Sequence, residues 1–168
     1  MAKASPALTI RPARPDDVAA ILRLIRGLAE YERMLAEVTA TEAQIHEALF
    51  ALPPRAYALV AEIDGTPIGL ALFYYTLNTF KLSPNIFLED LFVDPAHRGT
   101  GAGYALMRHL ARRAVAEDCG RIEWRVLNWN QPSIDFYHRI GSKPIADWHT
   151  LQLGGTALTA LAEGKSHG

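Results

Sequence analysis

Apolar positions near the start of the chain recur three and four residues apart: Val18, Ile21, Leu22, Ile25, Leu28 and Ala29. That spacing predicts one buried stripe of an amphipathic helix reaching about Tyr31. Asp16 and Asp17 supply acids suited to its first turn, and Pro12 and Pro15 separate it from a short β-like stretch, Leu8 to Arg11. Thr41-Glu42-Ala43-Gln44 has the spacing of a capping box. It opens a second helix with Ile45, Ala48 and Leu49 inward, which Pro53-Pro54 stops. The link from Glu32 to Ala40 is polar.

The period then shortens towards two, and β-branched and aromatic residues become frequent. Tyr57 to Ile63, Asp64-Gly65 and Ile68 to Tyr75 read as a hairpin whose turn uses the left-handed backbone that glycine tolerates. A loop from Asn78 to Asn85 precedes a third long strand, Ile86 to Val93, which Pro95 ends. Gly103 to Glu117 is predicted as a helix with Leu106, Leu110, Ala111 and Ala114 inward, and Ile122, Trp124 and Val126 as the next strand. Pro132 suits the first turn of a helix from Ser133 to Ile140, ended by Gly141. Trp148 to Leu153 is predicted as a last strand and Thr156 to Glu163 as a terminal helix. The order β-α-α-β-β-β-α-β-α-β is mixed α/β of the α+β type, with antiparallel strands first and a strand-helix-strand unit later.

Composition narrows the class. The 168 residues, 49% hydrophobic and 21% charged, suit one domain over 1–168 with an ordered core of about 8–163. A chain of this length buries roughly two-thirds of its unfolded surface and needs no disulfide or structural metal to fold. The single cysteine, Cys119, cannot pair within the chain. No secretory or membrane-spanning apolar run is present, so we expect a cytoplasmic protein without a membrane partner. Seventeen basic against 18 acidic side chains, a net charge of −1, argue against nucleic-acid binding. Six scattered histidines without metal-ligand spacing, and no CxxC or HExxH, predict no metal. No G-x-S-x-G hydrolase elbow occurs.

The chemistry-bearing stretch runs from Leu88-Glu89-Asp90 through Leu91-Phe92-Val93 into Arg98-Gly99-Thr100-Gly101-Ala102-Gly103-Tyr104. A strand enters a loop with three glycines in five residues, and the loop opens directly into a helix. Glycines let the backbone bend sharply and bring its N–H groups to a ligand, where the helix dipole favours an anion. A P-loop would need lysine and a hydroxyl after the last glycine, where Tyr104-Ala105 stand. A dinucleotide fingerprint beginning at Gly101 would need a third glycine at Leu106, and Glu123 falls inside its strand, not at its end. For the loop taken alone, a simple strand-to-helix turn is the structural alternative.

Two segments together resemble a known family. Arg98, Gly101 and Gly103 fill the coenzyme A loop pattern of the GNAT acetyltransferases. Asn128-Trp129-Asn130-Gln131-Pro132-Ser133-Ile134-Asp135-Phe136-Tyr137, closing on Gly141, resembles that family's asparagine before a helix bearing Phe-Tyr. Ile21 to Ile25, Leu28 to Glu32 and Leu88-Glu89-Asp90 extend the likeness to the diamine acetyltransferase branch, with its spermidine/spermine and thialysine relatives, over about Ile10 to Leu153. The resemblance implies a GNAT fold, a mixed and mostly antiparallel central sheet flanked by helices. It also implies acetyl-CoA as co-substrate, a small-molecule amine as acceptor, and a homodimer.

The same resemblance implies roles. The N–H groups of Gly99, Thr100, Gly101, Ala102, Gly103 and Tyr104 would hold the pyrophosphate, with Arg98 adding charge. Leu91, Phe92 and Val93 would align the thioester as an added strand pairs with a sheet edge. Asn130, Gln131, Pro132 and Ser133 would be the second coenzyme-contacting segment. Tyr137 would be the general acid for the leaving thiolate, a phenol being protonated at neutral pH. Glu89 would help deprotonate the amine and contact it, as would Tyr31 and Glu32. Glu123-Trp124-Arg125 occupies a further acceptor-contacting place, and Arg125 would repel a long polycation if it faced the groove. That departure leaves room for a diamine, thialysine or another small amino acid with a free amine. Acetylation of a protein N-terminus or an antibiotic amine, and acyl-CoA binding without turnover, are the rival readings. Charge is unevenly spread: residues 30–47 sum to −4 and residues 97–125 to +3.

Overall fold

Leu8–Pro12 (β1) enters the first helix through a 3-10 turn at Pro15–Asp17. The computed structural model describes residues 7–165, which form two compact units joined between Arg125 and Val126. The first contains a five-stranded sheet in sequence order: β1, β2 (Tyr57–Ile63), β3 (Thr66–Asn78), β4 (Ser83–Val93) and β5 (Ile122–Trp124). β1 to β4 pair antiparallel, and β4 pairs with β5 in parallel. This is the mixed, mostly antiparallel sheet flanked by helices that the sequence predicts.

Alternation along the strands sorts the two faces. Ala58, Val60, Leu70, Leu72 and Phe92 pack with α1 (Val18–Tyr31) and α2 (Glu42–Phe50). Leu59, Ala61, Ala71, Phe73, Ile86 and Leu88 are also buried and alternate with that set, so they face the opposite side. α3 (Ala102–Ala116) contributes Ala102, Leu106, Met107, Leu110 and Ala114 to the core. Each buried leucine or isoleucine contributes about 2 kcal/mol by leaving water. The α1 stripe is wider than its periodicity suggests, because Leu24 is also buried among the side chains of the α1–α2 core. In α3 the inward position expected for Ala111 is taken by Met107, and Ala111 is exposed. Residue 111 directly follows Leu110, and one residue turns about 100° around the helix, away from the stripe.

Turn chemistry follows the residues. Asp64 (φ 50°) and Gly65 (φ 78°) make the tight β2–β3 turn. Thr41 Oγ1 accepts from the Gln44 N–H at 3.3 Å while Gln44 Oε1 accepts from the Thr41 N–H at 2.9 Å, completing the predicted capping box. β3 and β4 run further than expected, pairing as far as Asn78↔Ser83, so the predicted loop contracts to residues 79–82.

Residues 126–165 hold α4 (Gln131–Arg139) and α5 (Gly155–Ala162). The predicted strand Trp148 to Leu153 does not form: Trp148, Leu151 and Leu153 are exposed, and the unit has no other strand among the described residues to satisfy its backbone. Among the described residues no helix is long and apolar enough to cross a membrane.

Candidate active site

A bulge in β4 sets the geometry. Leu72 lies opposite Asp90 and Phe73 opposite Leu88, so Glu89 is the extra residue of β4. The bulge changes the strand's phase. Leu88 lies on the α3 face, whereas Asp90, like its partner Leu72, lies on the face covered by α1 and α2. Gly27 of α1 permits close packing there, since a Cβ at that position would meet the Phe92 ring at 2.9 Å.

The strands part at the same point. Parallel pairing with β5 ends at Leu88↔Trp124. Leu91, Phe92 and Val93 then pair with Ala71, Leu70 and Gly69 on one side, and no strand among the described residues pairs with their other edge. That exposed ladder leads through a 3-10 turn at Pro95–His97 into the glycine loop. Asp94 caps the turn by accepting from the Ala96 N–H at 3.0 Å, and Thr100 Oγ1 donates to the His97 carbonyl at 2.8 Å. His97 in that turn is half-buried.

Gly99 (φ 80°) and Gly101 (φ 86°) adopt the left-handed backbone that side chains disfavour. Nothing lies within 4 Å of a Cβ built at either. Gly101 is the N-cap of α3 and provides no side-chain cap, so it leaves the first-turn N–H groups of Ala102, Gly103 and Tyr104 uncapped at the positive end of the helix dipole. These positions fit a phosphate group. The Arg98 guanidinium lies over the Tyr31 ring, 4.8 Å from the centroid, with Nε 3.5 Å from the Val93 carbonyl.

The acidic residues gather at the bulge. Glu89 Oε2 accepts from the Tyr74 hydroxyl at 3.3 Å, and Arg125 Nη2 lies 3.5 Å from Glu89 Oε1. Burial pushes the Asp90 carboxyl up to about 6, helped by the negative charges of Glu89 and Glu32. Burial also raises Glu32, at the C-terminal end of α1, and raises the Tyr74 phenol, to which Glu89 adds. A carboxyl titrating near neutrality can exchange protons with an amine through water. The resemblance implies no role for Asp90, whose signal in the chain is two consecutive acids inside a strand. Glu123 is held by Arg121 at 3.0 Å, and Trp124 sits opposite Leu88.

In the second unit, Asn130 caps α4, its Oδ1 accepting from the Ser133 N–H at 3.3 Å. Pro132 occupies the first turn and Gln131 Nε2 donates to Asp135 at 2.6 Å. Tyr137 lies on the same helix with its ring centroid 5.3 Å from that of Phe136, and Gly141 (φ 92°) follows the helix end.

Residues 20–141 match the acetyltransferase (GNAT) family. The thialysine N-epsilon-acetyltransferase of Bos taurus is 35% identical, covering 91% of this chain and 96% of that protein. The spermidine/spermine N(1)-acetyltransferase-like protein 1 of Homo sapiens is 30% identical over 91% of this chain and 23% of its own length. Among solved structures, an integron cassette protein from the mobile metagenome of V. cholerae superposes with a TM-score of 0.79 at 24% identity, over 95% of this chain and 99% of that one. The family match over most of the chain and the identity to whole-length acetyltransferases establish that the chain belongs to the GNAT acetyltransferase family and is an N-acetyltransferase.

Proposed function

We propose that the chain, as one domain, moves an acetyl group from acetyl-CoA to a primary amine of a small diamine, polyamine or thialysine-like amino acid, by direct attack in a ternary complex. The observation that carries this reading is the free edge of Leu91–Val93 running into the glycine loop at the start of α3. An extended chain ending in a diphosphate matches both parts, the ladder by hydrogen bonds and the loop by N–H groups. Names of the most similar relatives, which acetylate thialysine, support the small-amine acceptor.

Three tasks fall to the protein. The N–H groups from Gly99 to Tyr104 hold the pyrophosphate, with Asn130 to Ser133 as a second coenzyme-contacting segment. Leu91 to Val93 align the thioester. Its carbonyl carbon takes the amine's lone pair, the carbon–sulfur bond breaks, and the sulfur leaves as a thiolate.

Proton handling is the last task. The acceptor arrives as an ammonium with pKa ~10.4. Glu89, aided by Asp90, Glu32 and Tyr31, attracts that cation and passes its proton to water. Tyr137 supplies a proton to the thiolate, as the resemblance to the family assigns. The working form is read as a cytoplasmic homodimer, which light scattering of the purified chain tests.

The deciding experiment supplies acetyl-CoA with diamines, polyamines, lysine, thialysine and peptides and follows free thiol. Release with small amines is expected. Tight coenzyme A binding without release for any amine overturns the reading, and release only with peptides moves the acceptor to a protein N-terminus.

A further inference from the structure

Arg125 follows the last residue of β5. Its guanidinium lies 5.4 Å from the centroid of the Phe87 ring, and its Nη2 is 3.5 Å from Glu89 Oε1. Tyr74 completes the platform, stacking on Phe87 at 5.3 Å and donating its hydroxyl to the other Glu89 oxygen. The neighbouring cation, Arg121, is taken up by Glu123. Arg125 therefore occupies the electrostatic position that an acceptor's ammonium would take at Glu89.

The pair is exchangeable. The Arg125 side chain is 62% exposed and that of Glu89 40%. An ion pair this exposed is worth at most about 1 kcal/mol, so a ligand that matches both charges replaces it readily. What matters is what the ligand leaves behind. A molecule bearing only ammonium groups takes Glu89 and strands a guanidinium beside its own positive charge. A molecule bearing an ammonium and a carboxylate takes both partners: Glu89 meets the ammonium, and the planar guanidinium meets the carboxylate in the two-point geometry it favours. One ion pair is exchanged for two.

We infer that Arg125 is a specificity-determining residue, a cation that pairs with Glu89 and selects amines that carry a carboxylate over amines that carry none. The inference rests on the acetyl transfer at Glu89 proposed above and adds the group that discriminates among its acceptors. Glu32, Glu89 and Asp90 make the site attractive to any cation, and Arg125 is the charge that makes a counter-anion on the acceptor useful.

The test measures kcat and KM by thiol release for matched acceptors: lysine against cadaverine, ornithine against putrescine, and lysinamide as the carboxylate-free control. For the native chain, kcat/KM for each amino acid is expected to exceed that for its diamine at least tenfold, with lysinamide behaving like cadaverine. Arg125→Gln should raise KM for the amino acids at least tenfold with a smaller change in kcat, and should raise kcat/KM for the diamines. Arg125→Lys, which keeps the charge but loses the two-point geometry, should fall between. Native turnover that ignores the carboxylate overturns the inference while leaving the acetyl-transfer reading intact. So does a loss in Arg125→Gln shared equally by both acceptor classes. No thiol release from the native chain with any amine overturns the acetyl-transfer reading, and the inference with it. Because the native chain's own preference is measured first, a variant that fails to fold still leaves the inference refutable.

Discussion

Replacing Asp90 by asparagine should make the chain more stable at neutral pH, and the sign follows from its position. The Asp90 carboxyl is pushed from the ordinary 3.8 up to about 6, first by burial and then by Glu89 and Glu32. The folded state thus holds this proton more tightly than the unfolded chain. Stability from Asp90 is full below pH ~4 and is lost as pH rises through about 6, leaving a charged carboxylate the fold disfavours. A gap of about two pH units, at about 1.4 kcal/mol each, makes the loss about 3 kcal/mol as a ceiling, reduced by the water that reaches a half-buried group. Asparagine keeps the shape and cannot ionise. Urea unfolding of the native and Asp90→Asn chains at half-unit steps from pH 4 to 7.5 measures the effect. The difference between them should grow in favour of the variant across pH 4 to 6 and then level, reaching 1–3 kcal/mol, or roughly 2–10 °C in Tm for a chain of this size. Parallel profiles across that window would refute both the burial argument and the electrostatic link between Asp90, Glu89 and Glu32.

Other expectations follow from single contacts. Gly101→Val places a β-branched side chain at φ 86° in open space, so its cost is conformational, about 1–2 kcal/mol or more. It should weaken coenzyme A binding in calorimetry far more than Gly101→Asn, because asparagine tolerates that backbone; equal effects would mean the loop is not the cradle. Tyr137→Phe should lower kcat with little change in acetyl-CoA affinity, and unchanged turnover would remove its acid role. Arg11 donates to Asp17 at 2.7 and 2.9 Å and to Glu62 at 2.8 Å, with its side chain only 14% exposed. That guanidinium holds the Asp17 carboxyl below its ordinary range, so the stability it gives is present above pH ~4 and fades as pH falls through the lower folded value. Arg11→Ala strands two carboxylates and should cost about 3 kcal/mol in urea unfolding near neutral pH; a loss below 1 kcal/mol would show that the carboxylates find other partners.

Local rules carried the sequence reading a long way, and the failures mark where non-local structure takes over. The α1 stripe, the Thr41 box, the Asp64-Gly65 turn and the glycine loop opening into a helix each depend on residues within one or two turns, and each is visible in spacing alone. Burial of Leu24 depends on the core built by α1 and α2 with the sheet, which periodicity within α1 does not contain. Leu151 and Leu153 are spaced as in a strand, yet spacing supplies no partner for the backbone, and no other strand exists within the unit among the described residues. Arg98 stacks on Tyr31 at the end of the first helix, a neighbour 67 positions away that no local pattern names. For Arg125, whose direction the chain alone left open, the ion pair with Glu89 supplies the answer.

The Glu89 bulge unites these points. In a regular strand, Asp90 would share the face of Leu88 and meet the α3 core, where an ionised carboxylate would have no water and no partner. The extra residue turns Asp90 to the α1–α2 face, within electrostatic reach of Glu32, and puts it on the stretch of β4 just beyond the last residue paired with β5. The strand therefore keeps hydrophobic Leu88 and Phe92 in two separate cores while holding two acids between them. Burial first, and then the nearby charges of Glu89 and Glu32, make ionising Asp90 unfavourable. If the acetyl-transfer proposal holds, an ammonium entering the cluster would remove the repulsion, and the energy set against folding at neutral pH would be recovered when a cationic acceptor binds. On that proposal, locally destabilising charge at a bulge beside an unpaired strand edge is better explained by what it binds than by what it contributes to the fold.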